Sequence, residues 1–448
     1  MSEALPALGP TARADVRAWF RATLSSSSGP LAATLPAPRA ELDLLPRAFP
    51  GAASWIFAPP LGAATTTLGV AGAARLSSAS STPAADALLA DLRGLAVRTH
   101  PDAPSFRPRA YFGLPFDEGA APSGGLGAGA LILPRWTYAL GRDGASLTFL
   151  VLPSRPCTAS GALAELDALL VALDAPPRIP PSPRVTRVEH TAGGDWTALV
   201  TAAQAAIGRG DFSKVVAARR TTVTADRPFD PLEVLGRLSA GPGTTRFLVR
   251  FGRRRAFVGA TPEHLFTLEG NHLRTEALAG SIAANEPEGR LLESRKDREE
   301  HAHVVGHLVE RLRTVGEVSV APPEIRRLAT VLHLRTPIDA TLPRPVAPLD
   351  LVRLLHPTPA VCGTPTDAAR AHIRAHEPSR GWYAGPLGWL DTAGHAEVVV
   401  SLRCALVEGE QAFCWAGGGI VAGSTPQAEW HESALKLGPM LAALGARP

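Results

Sequence analysis

Residues 396–421, "AEVVVSLRCALVEGEQAFCWAGGGIV", decide how the chain is read. Two aliphatic, β-branched runs flank Gly409-Glu410, the pattern of two strands joined by a tight turn. Arg403 falls inside the first run, where an arginine needs an acidic partner or a bound carboxylate; its planar fork suits both. The second run closes on Gly417, Gly418 and Gly419, expected as a loop whose backbone N–H groups approach an anion closely. Working outward, "TRFLVRFG" (245–252) and "RAFVGA" (255–260) form a second expected hairpin.

Downstream, "STPQAEWHESALKLGPML" begins a helix with Thr425 as N-cap and Pro426 at the first helical position. Glu429, Glu432 and Lys436 stand at i, i+3 and i+7 and so share a face. Two carboxylates one turn apart suit a hard cation such as Mg²⁺; a solvated acidic face with an i,i+4 ion pair is the alternative. "RKDREEHAHVVGHLVERLR" (295–313) is a long amphipathic helix, acidic early and arginine-rich late as the helix dipole prefers. Asp297 and Glu300 repeat the i, i+3 carboxylate pair near its start. His303 and His307 lie at zinc-like spacing, but the Glu of HExxH is missing and zinc is not expected. In "VGATPEHLF" (258–266), Glu263 follows a strand; a desolvated carboxyl there stays protonated near neutral pH and serves as a general acid, while a surface Pro-Glu helix start is the bland alternative.

The chain has 448 residues, with 45 Lys plus Arg and 41 Asp plus Glu, so its net charge is only +4. Dispersed cations and few aromatics give no nucleic-acid footprint. Cys157, Cys362, Cys404 and Cys414 form no CxxC pair and read as packed, reduced thiols of a cytoplasmic protein. No secretory leader or membrane span is expected from the sequence. Residues 1 to about 190 are rich in Ala, Ser, Gly and Pro, with short strand-like pieces such as "SLTFLVL" (146–152). "SGGLGAGA" (123–130) reads as a flexible loop, and "APPRIPPSPR" (175–184) as a Pro-rich seam. Only three cations are lysines, Lys214, Lys296 and Lys436. Lys214, in "GDFSKVVAARR" (210–220), stands at the start of an apolar run; Lys296 reads as a solvated helix residue.

Ten stretches, "FSKVVAARR", "GATPEHLF", "TEALAGSIA", "SRKDREEH", "VLHLRTPI", "LHPTPAVCGTP", "RGWYAGPLGW", "VVSLRCAL", "AGGGIVAGS" and "EWHESALKL", run in order over about residues 205–440. Together they resemble the chorismate-utilising enzymes, and among them the isochorismate synthases. The resemblance implies an α+β fold with large antiparallel β-sheets and outer helices around a deep central site. Residues 1–190 would be a more variable N-terminal half giving strands to the same domain, and 191–448 the chorismate-binding catalytic region. The implied reaction is Mg²⁺-dependent: water attacks C2 of chorismate, the double bonds shift and the C4 hydroxyl leaves.

By the same resemblance Lys214 is the general base and Glu263 the general acid. Glu300 and Glu432 hold the metal, supported by Asp297 and Glu429. Gly280, Ser281 and His333 line the ring. Tyr383, Arg403 and the backbone of Gly417, Gly418 and Gly419 hold carboxylates, and Lys436 adds a cationic contact. An arginine cannot replace a base at 214, because it stays protonated. A lysine acts as base only if burial or a nearby cation, such as Arg220 or a metal, lowers its pKa from about 10.4. Ammonia-using relatives tend to carry "GAPK" where this chain has "GTPT" (363–366), so water is the expected nucleophile, with no glutaminase partner and a monomeric chain. A salicylate-forming relative and a non-catalytic anion-binding homologue are the alternatives. "RGWYAGPLGW" is similar to menaquinone-pathway enzymes, while "AVCG" and "LRCA" also occur in siderophore-pathway ones.

Overall fold

The computed structural model describes residues 9–39, 53–60, 66–70, 83–117, 129–153, 157–174, 181–191, 196–238, 243–252, 254–328 and 331–446. Most of the 123–130 stretch and residues 175–180 of the Pro-rich stretch lie outside them, as does the side chain of Lys296. Two large sheets, of thirteen and nine strands, carry the fold, with helices outside them: the α+β class expected. Among the described residues, no helix is long and apolar enough to cross a membrane.

The 396–421 stretch builds both sheets. Ala396–Val400 lies in the nine-stranded sheet between Pro386–Asp391 and His264–Glu269. Cys404–Glu408 and Gln411–Val421 pair with each other in the thirteen-stranded sheet. The first apolar run is therefore two strands rather than one. Arg403 sits at the crossing between sheets with φ 49, a left-handed conformation that a non-glycine residue adopts at a cost of about 1–2 kcal/mol.

Gly417, Gly418 and Gly419 are also corrected, from a loop to a strand. They pair with Ala218, Ala217 and Val216 of the Lys214–Ala225 strand, whose long ladder overrides the weak strand preference of glycine. Among the described residues, no strand lies beside the other edge of the glycine segment, because Cys404–Glu408 pairs only as far as Cys414. The expected hairpin forms as Thr245–Arg250 against Arg255–Thr261.

The interior strands of the thirteen-stranded sheet are buried on both faces, which explains why they read as unbroken apolar runs. Trp55, Phe57, Phe247 and Phe257 point into the core between the sheets. The residues alternating with them, Ile56, Leu248 and Val258, point to a second core with Trp136, Phe149 and Leu437. Strands from the first 190 residues enter both sheets: Ser54–Ala58 pairs with Thr245–Arg250, and Arg109–Gly113 with Pro386–Asp391.

Two helices bring carboxylates to the sheets. Arg295–Arg313 is capped by Ser294, whose hydroxyl accepts from the Asp297 amide. Pro426–Ala443 starts at Thr425, whose side chain accepts from the Ala428 amide. Both termini fall where the sequence places them, because short polar caps compete well for the first free amides.

Candidate active site

A cavity of ≈ 210 Å³ opens where these elements converge. Its wall takes Val216 from the Lys214 strand and Glu263 from the turn between Arg255–Thr261 and His264–Glu269. Gly280 and Ser281 come from His272–Ala283, and His333 from the neighbouring Val331–Thr341. Asp297 and Glu300 enter from one helix, Glu432 and Lys436 from the other. Tyr383, Arg403, Gly417 and Gly419 complete the set that sequence reasoning named. Three named residues stand behind the wall: Lys214, Gly418 and Glu429.

Lys214 is only 1% exposed, and its Nζ donates to Glu300 Oε1 at 2.6 Å. The glycines set this approach. A Cβ on Gly419 would lie 2.9 Å from Lys214 Cε and 3.2 Å from Glu300 Oε1, so the strand is flush against the pair only without a side chain. Gly417 sits 3.3 Å, by the same construction, from the Tyr383 hydroxyl. Gly418 faces the opposite side, where its Cβ would lie 2.6 Å from Glu429 Oε2. Glu429 is thus under the glycine strand, 2% exposed, accepting from Ser424 Oγ at 2.7 Å. The i, i+3 spacing predicted one shared face, but the strand lies between Glu429 and the cavity.

Arg220 does not reach Lys214. It is exposed, its guanidinium rides 5.4 Å over Phe413, and it lies six positions along the strand from Lys214, about 20 Å. The cation along the strand is instead Arg219, buried on the opposite face against Ser433 and Trp430.

Glu263 is 8% exposed, and its backbone is fixed by Thr261 Oγ1 and the Val400 amide. Burial, and then the Glu276 carboxylate, push its pKa from 4.5 up to about 8, against Arg403 and Lys214. Glu276 is itself held by Arg326 and Arg335, a buried network to which no sequence motif pointed. Its signal was a glutamate in an apolar strand facing Arg335 on the adjacent strand and Arg326 on the next, visible only once register is known.

His333 shares a short hydrogen bond with Ser281 Oγ, 2.8 Å from Nδ1, and Gly280 C=O lies 3.3 Å from the same nitrogen. Burial, then Arg403 and Lys436, push its pKa to about 3, so the ring is neutral. A register shift between Ala279 and Ser281 re-aims these residues into the cavity. Gly280, at φ 73, lets Asp297 pack where a Cβ would sit 3.1 Å from it.

Lys436 Nζ donates to Glu432 Oε1 at 2.6 Å and to Gly417 C=O at 3.0 Å. Arg403 is half-buried; Tyr383, Glu263 and Glu432 act on it against the burial that lowers its pKa. With Lys436 and the open edge of the glycine strand, it gives one side of the cavity the character of a carboxylate receptor.

Asp297, Glu300 and Glu432 supply only oxygen donors from two helices to one polar cavity, a set that fits a hard divalent cation rather than zinc. They are not drawn into a tight cluster: among the described residues the one trio of ligand atoms within 4.8 Å is Asp15, His100 and Asp102, far from this cavity in sequence. There the Asp102 amide donates to His100 Nδ1, and the carboxylates face different ring nitrogens, 3.5 and 3.9 Å away, an arrangement that orients a histidine. His303 and His307 lie on the helix face away from the cavity. Pro262, Leu278, Ala360, Val361 and Leu402 also line the site; they fall inside the quoted stretches but, being apolar among apolar residues, were given no role.

The model of the chorismate binding enzyme family matches residues 54–445. A salicylate biosynthesis isochorismate synthase of Pseudomonas aeruginosa is 40% identical over 264 residues, 56% of this chain and 55% of that protein. The isochorismate synthase MenF of Bacillus subtilis is 36% identical over 271 residues, 58% of each chain. The matched stretch thus spans little more than half the length of these relatives. Among solved structures, MenF of Escherichia coli, the menaquinone-specific isochorismate synthase, superposes with a TM-score of 0.79 at 27% identity, over 97% of this chain and all of that one. Anthranilate synthase component I of Streptococcus pneumoniae shares the fold, with a TM-score of 0.63 at 19% identity. With the family model covering most of its length and the cavity formed by the family's motifs, the chain belongs to the chorismate-binding enzymes.

Proposed function

We propose that the chain is an isochorismate synthase. The observation that carries this reading is a buried carboxyl, Glu263, on the wall of the cavity that the Lys214 strand closes, where burial raises its pKa towards about 8. In the proposed reaction water adds at C2 of chorismate and gives its proton to Lys214, while Glu263 protonates the C4 hydroxyl that leaves. One proton is taken and one given, so the step is balanced, and the acid and base are restored from solvent between turnovers. Arg403, Lys436 and the Gly417–419 edge hold the substrate carboxylates, and His333, neutral and fixed by Ser281, borders the ring.

A Mg²⁺ held by Glu300 and Glu432, with Asp297 beside them, would neutralise a substrate carboxylate; Glu429, behind the glycine strand, does not join them. Glu300 then has two partners, since the same carboxylate neutralises Lys214 in this structure. In the proposal, Lys214 acts as base once Glu300 is engaged by the metal.

Incubation with chorismate and Mg²⁺, with products separated by chromatography, tests the reading. Isochorismate alone is expected, and Lys214→Arg is expected to abolish it in a folded protein, because the guanidinium keeps the charge but accepts no proton. Salicylate with pyruvate would assign the chain to a salicylate-forming reaction, and no turnover would leave an anion-binding protein.

A further inference from the structure

The outer edge of the Lys214–Ala225 strand is covered in three pieces. Thr364 and Gly363 pair with Lys214 and Val215, and Val185–Thr191 pairs with residues from Arg220 onward. Between them, at the segment that forms the cavity wall, no strand among the described residues lies alongside. Val216 N–H still reaches Cys362 C=O at 2.8 Å. After that, two side chains take over. Arg380 Nη2 donates to Val216 C=O at 2.6 Å, and Glu377 Oε1 accepts from the Ala218 amide at 3.0 Å.

These side chains are also bound to each other, Nε to Oε2 at 2.8 Å and Nη2 to Oε1 at 2.9 Å. Both are almost fully buried, at 3% and 4% exposure. The second guanidinium nitrogen, Nη1, donates to Val361 C=O at 3.0 Å, and the Arg380 C=O accepts from the Tyr383 amide. Phe116 stacks under the guanidinium at 4.6 Å. Val216, Val361 and Tyr383 all line the cavity, so one ion pair ties three separate pieces of its wall together.

We propose that Glu377 and Arg380 are positioning residues that stand in for a missing strand and fix the Lys214 segment against the Val361 and Tyr383 walls. Desolvating two charges offsets much of their attraction, so an ion pair this deep is weak evidence for a role in stability alone. Geometry accounts for it better: strand pairing needs a donor opposite Val216 C=O and an acceptor opposite Ala218 N–H, and an arginine beside a glutamate offers both in one rigid unit. A neighbouring strand would offer them too, but it would also carry side chains into the space that Ala360, Val361 and Tyr383 occupy.

The kinetic half of this proposal rests on the isochorismate synthase reading; the structural half does not. The test is Arg380→Lys, with Glu377→Gln as the milder companion, each checked for fold by near-UV circular dichroism. Arg380→Lys keeps the charge but loses the fork, and kcat is expected to fall about tenfold to a hundredfold, the range for a small misplacement of a reacting group. KM for chorismate should move less than about threefold, since the carboxylate contacts sit on other segments. Glu377→Gln keeps an acceptor for the Ala218 amide and should lose less. Amide hydrogen exchange at Ala218 should speed up at least about tenfold in Arg380→Lys, with Arg219 to Val223 little changed.

A folded Arg380→Lys enzyme with wild-type kcat, or with KM and kcat shifted in proportion, would overturn the positioning role, as would unchanged exchange at Ala218. If the wild-type chain makes no isochorismate, the reaction reading fails, and the exchange measurement by itself decides whether the pair holds the strand.

Discussion

Glu263 shows how one residue couples stability to chemistry. It follows a proline between two strands, and the sequence left it open between a surface helix start and a buried acid. Burial beside Glu276 resolves the choice, raising its pKa to about 8. As general acid it is competent only while protonated, so kcat/KM should fall on the alkaline side with an apparent pKa near 8. The sign for stability follows from the same shift. Between 4.5 and about 8 the folded protein holds a proton that the unfolded chain does not. This contribution is complete below 4.5 and is lost as pH rises through about 8. Glu263→Gln, a neutral isostere, should lose about 10²–10⁴-fold in kcat. Its melting temperature relative to wild type should rise progressively from pH 5 to pH 9; a constant difference would show that Glu263 is ionised throughout. Lys214 was legible for a different reason, as an ammonium kept in a chain that otherwise uses arginine. Its supposed partner Arg220 was not, because two even-numbered strand residues share a face without being near each other.

At the scale of elements, sequence reasoning succeeded where local chemistry decides the outcome. Thr425 caps its helix as read, the 295–313 helix forms where it was read, and the 245–260 hairpin forms because its two apolar runs meet across a short turn. It failed where a distant partner decides. The Gly417–419 segment is a strand because residues 216–218, far away in sequence, pair with it. That pairing also separates Glu429 from Glu432, which helical spacing alone had put together. The absent side chains matter most at Gly419, so Gly419→Ala should preserve the fold and lower kcat by about tenfold or more, since its Cβ would press on Lys214 and Glu300. Circular dichroism with steady-state kinetics reads both; wild-type turnover would mean the Lys214–Glu300 contact can shift freely. Arg403 was read as a strand residue because nothing in its neighbours announces a left-handed turn.

For the whole molecule, the compositional change near residue 190 is not matched by any break between the sheets. Thr245–Arg250 is an interior strand only because Ser54–Ala58 covers it, and Pro386–Asp391 only because Arg109–Gly113 does. A fragment of residues 191–448 would expose both edges together with Phe247 and Trp389, and it should aggregate when expressed alone. A soluble fragment that turns over chorismate would show that the C-terminal part folds without the rest. The N-terminal strands were hard to read because buried, alanine-rich pieces such as Leu31–Ala37 carry little periodicity.

In the proposed reaction one oxygen enters from water and another leaves the ring, and oxygen isotopes test that. Turnover in water carrying the heavy oxygen isotope should give isochorismate with one heavy oxygen, in the C2 hydroxyl, because the proposed nucleophile is water and the C4 hydroxyl departs. Isochorismate without the label would mean that the original hydroxyl migrates across the ring, and the roles given to Lys214 and Glu263 would be contradicted.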